Sequence, residues 1–140
     1  MIGRVLGIDY GSRRVGISLS DPLRIIASGA GVIQNTPSLV NHLARIVDDQ
    51  HVVLIVVGMP YAPDGGTGKK GEEVLRFIQR LESVVTIPVA TWDESFTTVD
   101  AGAAIRKAGM KKKQRRQKGV LDEMAARLML QEYLDVHEGK

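Results

Sequence analysis

The 140-residue sequence contains no cysteine. This absence excludes disulfide bonds, thiolate metal sites and cysteine nucleophiles, and it fits a reducing compartment. No apolar run approaches the roughly 18 residues that a membrane span needs, and the N-terminus, MIGRVLGID, lacks the apolar segment of a secretion signal. We therefore expect a cytoplasmic protein without a membrane partner, folded as one domain over residues 1–140.

Histidine is also scarce. The three histidines, His42, His51 and His137, are scattered without the spacing of metal ligands. We interpret them as surface or packing residues. Any metal ion would then have to be held mainly by oxygen ligands.

Positive charge is concentrated in one segment. Residues 106–118 hold eight of the 19 basic residues and no acid, whereas the rest of the chain carries 11 basic and 16 acidic residues. A basic cluster on an otherwise acidic domain is typical of a surface that contacts phosphates, although a solvated loop would look the same. The predicted nucleic-acid contacts in this segment are Lys111, Lys112, Lys113, Arg115, Arg116 and Lys118.

Apolar periodicity predicts an α/β fold. Residues 4–9 and 15–20 are expected to form an antiparallel hairpin, residues 25–33 a third strand, and residues 89–92 a last strand. The run VVLIVV at 52–57 indicates an interior parallel strand. Helices are predicted from Thr36 and Pro37 to about residue 50, then over 72–84, from Thr97 or Thr98 to 108, and over 120–134.

Three acids stand where the predicted elements begin or end. Asp9 and Glu94 stand at the ends of apolar strands, and Asp122 lies in the first turn of the last helix. Converging carboxylates repel each other and need a cation, and Mg²⁺ accepts carboxylate and phosphate oxygens. Such a site beside a basic segment suits phosphodiester hydrolysis. Taken alone, Asp122 could instead complement the helix dipole, and Asp21, which precedes Pro22, is expected to form a turn outside the site.

The ordered motifs resemble one family. GIDYGSRRVGISLSD, VVGMP, DGG, DESFTT and VLDEMAARLMLQEYL occur in order along nearly the whole chain. Together they resemble the YqgF family, also described as Holliday-junction-resolvase-like or as pre-16S rRNA nucleases. The resemblance implies a ribonuclease-H-like fold with a mixed five-stranded sheet flanked by helices, and a nuclease dependent on Mg²⁺ or Mn²⁺. It also implies that Asp9, Glu94 and Asp122 are the metal-binding acids.

The family resemblance further implies a substrate. This would be the precursor of 16S ribosomal RNA, free or in ribosomal particles, trimmed at its 5′ end in the bacterial cytoplasm. One departure concerns Ser95, which stands where the family commonly has arginine and which cannot supply a guanidinium to a phosphate. Arg13, Arg14 or the basic segment could supply that charge.

Other functions stay open from the sequence. The same acids would serve a resolvase of branched DNA, and the opening aspartate-glycine hairpin also resembles the phosphate-binding turn of actin-like ATP-binding proteins. A non-catalytic RNA- or protein-binding module is a third possibility. The residues do not distinguish a monomer from a homodimer. Gly11 is expected to adopt a positive φ in the hairpin turn.

Overall fold

Five strands form one mixed sheet in the computed structural model, which describes residues 2–61, 66, 68–93 and 118–138, with side chains of the last segment from residue 121 onward. The strands are β1 (Arg4–Tyr10), β2 (Arg14–Ser20), β3 (Ala27–Gln34), β4 (Val52–Met59) and β5 (Val89–Asp93). The helices, numbered among the described elements, are α1 (Leu39–Asp49), α2 (Gly68–Glu82) and α3 (Lys118–His137).

The strand order is β3-β2-β1-β4-β5. β1 pairs with β2, and β2 with β3, in antiparallel fashion, whereas β4 runs parallel to both β1 and β5. The predicted meander and the predicted interior position of β4 are both confirmed. The predicted helix between Thr97 or Thr98 and residue 108 lies outside the described residues.

The two faces of the sheet bury different clusters because side chains alternate along each strand. Leu6 and Ile8 of β1 pack with α1 and α2, where Leu43 and Phe77 are fully buried. Val5, two residues before Gly7, faces the opposite side and packs with α3. The second cluster also contains Val56, Met129, Leu130 and Leu134. The sheet is therefore covered on both faces.

Helix α3 is bound to both halves of the sheet by side-chain hydrogen bonds. The buried Ser18 hydroxyl on β2 donates to the Ala126 carbonyl oxygen at 2.8 Å. On β5, Trp92 Nε1 donates to Glu132 Oε1 at 2.9 Å. These bonds fix α3 across the sheet, as required to bring its first turn over β1 and β2. In the described segments, no helix is long and apolar enough to cross a bilayer.

Several predicted boundaries were wrong by two or more residues. β3 begins at Ala27 because the preceding isoleucine N–H groups bond to the Asp21 carboxylate. α1 begins at Leu39 with Ser38 as N-cap, and the Thr36 hydroxyl bonds the Ser38 hydroxyl instead of capping the helix. α2 begins at Gly68, four residues before the predicted start, although glycine disfavours helix.

Asp21 forms the predicted turn. Its carboxylate accepts hydrogen bonds from the backbone N–H groups of Leu23, Ile25 and Ile26 at 2.7–3.1 Å. These bonds, the one from Ile26 foremost, hold the pKa of Asp21 below its ordinary value of 3.8, although partial burial acts in the opposite sense. The turn is therefore stabilised by the ionised carboxylate and weakened when the carboxylate is protonated.

We expect Asp21→Ala to lower the free energy of unfolding at pH 7 by about 1–2 kcal/mol, the scale of hydrogen bonds to a charged acceptor. Because the folded pKa is the lower one, the contribution is complete above the unfolded pKa and disappears as pH falls through the folded pKa. Urea unfolding at pH 7 and at pH 3 measures this difference. Asp49→Ala, at an exposed acid, is the control. An Asp21→Ala deficit equally large at both pH values would contradict this account.

Candidate active site

Asp9 is placed near the carboxyl end of β1, on the α3 face of the sheet. It is half-buried, and its antiparallel partner on β2 is Gly16. Residues directly opposite each other on paired strands project from the same face. Side chains alternate between the two faces along β1, so Asp9, four residues after Val5, lies on the same face as Val5, which packs with α3.

Gly16 allows the first turn of α3 to rest directly on the sheet. A Cβ at this position would overlap the backbone carbonyl group of Asp122 and lie 3.0 Å from the Glu123 nitrogen. Any side chain here would push the start of α3 away from β2. The backbone of Asp122 therefore packs on the residue directly opposite Asp9, although the two acids are far apart in sequence.

The Asp122 carboxylate has a specific partner. Arg14, the first residue of β2, donates from Nε to Asp122 Oδ2 at 3.2 Å. The two side chains are 28% and 29% exposed, so the pair is partly shielded from water. Asp122 is thus engaged with a side chain of the sheet, beyond any effect on the dipole of its own helix.

A basic groove adjoins this ion pair. A cavity of about 540 Å³ opens between the β1–β2 turn and the start of α2. Its charged lining residues are Arg13, Arg14, Lys69, Lys70, Glu73 and Asp122. Sequence reasoning identified Arg13 and Arg14 but missed both lysines, because the KKG motif was assigned to a loop instead of to the first turn of α2.

Gly11, in the β1–β2 turn, does not have the predicted positive φ. A Cβ at Gly11 would instead overlap the carbonyl oxygen of Arg14. Close approach of the backbone, and not an unusual φ, is what requires glycine here. The tight turn brings Arg13 and Arg14 back toward the end of β1.

The remaining predicted site residues fall outside the described part of the chain. This holds for Glu94 and for Lys111, Lys112, Lys113, Arg115 and Arg116, while Lys118 begins α3 without a described side chain. Among the described residues, no group of three or more histidine, aspartate or glutamate side chains could hold a metal ion. The three-acid site, which includes Glu94, stays a prediction.

Sequence reasoning also missed how β5 is fixed near the site. Besides its hydrogen bond to Glu132, the Trp92 ring makes an edge contact with Tyr133, with centroids 5.6 Å apart. Trp92 precedes Asp93, the last residue of β5. The end of β5 is therefore held against α3, the helix that carries Asp122.

We expect Gly16→Ala to lower the free energy of unfolding by about 2 kcal/mol or more, because the added methyl group meets backbone atoms of α3. Gly29→Ala is the control, since the atoms nearest to its methyl group belong to the Glu123 side chain and not to the backbone. Urea unfolding of both variants measures the difference. A Gly16→Ala protein as stable as the parent would show that the close approach of α3 is unnecessary.

Comparison with known proteins gives consistent matches. The family described as "RuvX: Holliday junction resolvase" matches residues 3–136. A Desulforamulus reducens protein named "Putative pre-16S rRNA nuclease" is 40% identical over 134 residues, covering 94% of this chain and 96% of its own length. A Syntrophus aciditrophicus protein of the same name is 39% identical over 137 residues, covering 94% and 88%.

Two solved structures share the fold. RuvC of Thermus thermophilus, in complex with a Holliday junction substrate, superposes with a TM-score of 0.58 at 16% identity, covering 98% of this chain and 96% of that one. The fowlpox virus resolvase, in complex with Holliday junction DNA, gives 0.54 at 12% identity, covering 97% and 98%. These likenesses confirm the predicted ribonuclease-H-like fold.

Proposed function

Because this chain belongs to the RuvX family, we propose that it is a metal-dependent nuclease that matures the 5′ end of the 16S ribosomal RNA precursor. The names of relatives that are 39–40% identical over nearly the whole chain support this substrate. The enzyme would cleave this RNA either free or within ribosomal particles. In this proposal, the ligand of the basic groove is nucleic acid, and not a nucleotide or a protein.

The observation that carries the proposal is the packing of Asp122 on Gly16, directly opposite Asp9. It brings two carboxylate-bearing residues from distant parts of the chain to one place on the sheet. A groove lined by four cationic side chains adjoins them. Carboxylates beside cations are the combination that phosphodiester hydrolysis needs, since metal ligands and phosphate contacts must lie together.

The donor set suits a hard divalent cation. Asp9 and Asp122, together with Glu94, would offer carboxylate oxygens, which Mg²⁺ and Mn²⁺ favour. When bound there, such ions would activate the attacking water and stabilise the leaving oxygen. Nothing softer than oxygen is required of the protein, in keeping with a chain without cysteine.

Arg14 would have two roles in this site. Its Nε–H bond orients the Asp122 carboxylate, while the other guanidinium N–H groups remain able to bind a phosphate oxygen. Arg14 would thereby supply the positive charge that Ser95, which stands in place of the family's arginine, cannot supply. The basic segment, with Lys111, Lys112, Lys113, Arg115, Arg116 and Lys118, would add phosphate contacts that position RNA without reading its sequence.

Branched DNA is the second candidate substrate. The family description favours it, since it names a Holliday junction resolvase. The structures solved with junction DNA are only 12–16% identical to this chain and support the fold alone. RNA is preferred because the relatives named for ribosomal RNA are far more similar in sequence.

We expect Asp9→Asn to reduce RNA cleavage by at least about 100-fold, equal to about 2.7 kcal/mol of transition-state stabilisation, because a metal ligand is lost. The fold should persist, since asparagine has nearly the same shape. Cleavage of labelled 16S precursor RNA with Mg²⁺, with Mn²⁺ and with chelator measures this effect. Asp48→Asn, at an exposed acid of α1, is the control.

Unchanged cleavage by Asp9→Asn, or full activity of the parent in chelator, would refute the assignment. A four-way DNA junction and an unrelated single-stranded RNA are included as substrates. Preferred cleavage of the junction would replace the ribosomal proposal with the resolvase.

A further inference from the structure

One face of α2 carries a row of charged side chains. Lys69, Glu73, Arg76 and Arg80 are spaced by four, three and four residues, which places them along one side of a helix. The three cationic residues are exposed, and Glu73 is half-buried. Within the described residues, Lys69 and Arg76 form no ion pair, so their charge is available to a ligand.

This row continues the basic groove beside Asp122. A second cavity of about 780 Å³ runs along α2 and shares Ser12 and Glu73 with the first. The charged lining of the two cavities comprises six cationic and two acidic side chains, and one of those acids, Asp122, is paired with Arg14. The two cavities are therefore adjacent, and their combined lining is predominantly positive from Asp122 to Arg80.

The far end of the row is linked to β1, the strand that carries Asp9. Arg80 Nη2 donates to the Tyr10 hydroxyl at 3.4 Å, and the Tyr10 ring stacks on buried Phe77 with centroids 4.4 Å apart. Tyr10 directly follows Asp9 in β1. The position of Arg80 relative to the candidate active site is thus set by the sheet.

We propose that this face of α2, with Arg13, is a second phosphate-binding surface that guides a single nucleic-acid strand away from the Asp9–Asp122 site. Hereafter we name Lys69, Arg76, Arg80 and Arg13 the α2 track. The inference rests on the proposed nuclease function and adds a path for the substrate. From Lys69 to Arg80 the helix rises about 16 Å, the length of about five stacked nucleotides at 3.4 Å each.

The chemistry of the α2 track favours a strand over a protein partner. The second cavity is lined by charged, hydroxyl and amide side chains, and Tyr10 is the one aromatic residue among those described there. The exposed apolar residue of α2, Leu75, lines neither cavity. A single row of cations matches one backbone, and binding through phosphates needs no particular base sequence.

The test is binding of a ten-nucleotide single-stranded RNA to the full-length protein, measured by fluorescence anisotropy at several salt concentrations. The triple variant Lys69→Ala, Arg76→Ala, Arg80→Ala should bind more weakly. The slope of its log binding constant against log salt concentration should become shallower by up to about 0.7 for each lost phosphate contact. Arg45→Ala, at an exposed arginine of α1 that lines neither cavity, should bind like the parent.

Glu73 gives a test in the opposite direction. Glu73 lies between Lys69 and Arg76 of the α2 track, and its negative charge would repel a phosphate backbone, so Glu73→Gln should bind the same RNA more tightly than the parent. Thermal unfolding of every variant establishes that the fold is retained. A two-nucleotide RNA, too short to span the row, should bind the parent and the triple variant alike.

The outcomes separate this inference from the proposed function. If the parent binds and cleaves RNA while the triple variant has the same Kd and salt slope, the α2 track is overturned and the nuclease stands. If the parent neither binds nor cleaves nucleic acid, both are overturned.

Discussion

The close contact between α3 and the β1–β2 hairpin is the constraint on which the rest of the structure depends. It exists because Gly16 has no side chain where the carbonyl group of Asp122 lies. The Ser18–Ala126 hydrogen bond continues the contact one turn further along α3. Behind it, Met129, Leu130 and Leu134 bury their apolar surface against the sheet, so hydrophobic burial holds the helix in this position.

The electrostatics of the site follow from that packing. Bringing Asp122 beside the strand that carries Asp9 gathers negative charge, which is unfavourable unless cations are close. Arg14 supplies one such cation from the same hairpin, at 3.2 Å from Asp122. In the proposed nuclease, a divalent ion would satisfy the same carboxylates, and the basic groove would then be left to the phosphates. One arrangement therefore explains both the acids and the cations around them.

Local sequence patterns predicted the elements well. The run VVLIVV led to β4 because a strand covered on both faces is typical of an interior parallel position, and β4 indeed lies between β1 and β5. Asp21 before Pro22 led to a turn because aspartate accepts nearby backbone N–H groups, as observed. The family resemblance, read from motifs spread over the chain, is confirmed by the match over residues 3–136.

Contacts between distant residues could not be predicted in this way. Neither the Arg14–Asp122 pair nor the Trp92–Glu132 hydrogen bond has a local signal, since each depends on how α3 crosses the sheet. The early start of α2 was missed because its glycines are typical of loops. For the same reason, the position of Lys69 on this helix was missed. For the candidate site, the sequence indicated three acids, and the fold places the backbone of one of them, Asp122, on the residue directly opposite Asp9.

The most direct measurement of the central claim is anomalous diffraction from crystals of the protein grown with Mn²⁺. The account predicts a manganese peak within about 2.0–2.6 Å of carboxylate oxygens of both Asp9 and Asp122, the range of oxygen ligation by hard divalent ions. A well-occupied manganese ion elsewhere, with both carboxylates farther than this from any ion, would contradict it.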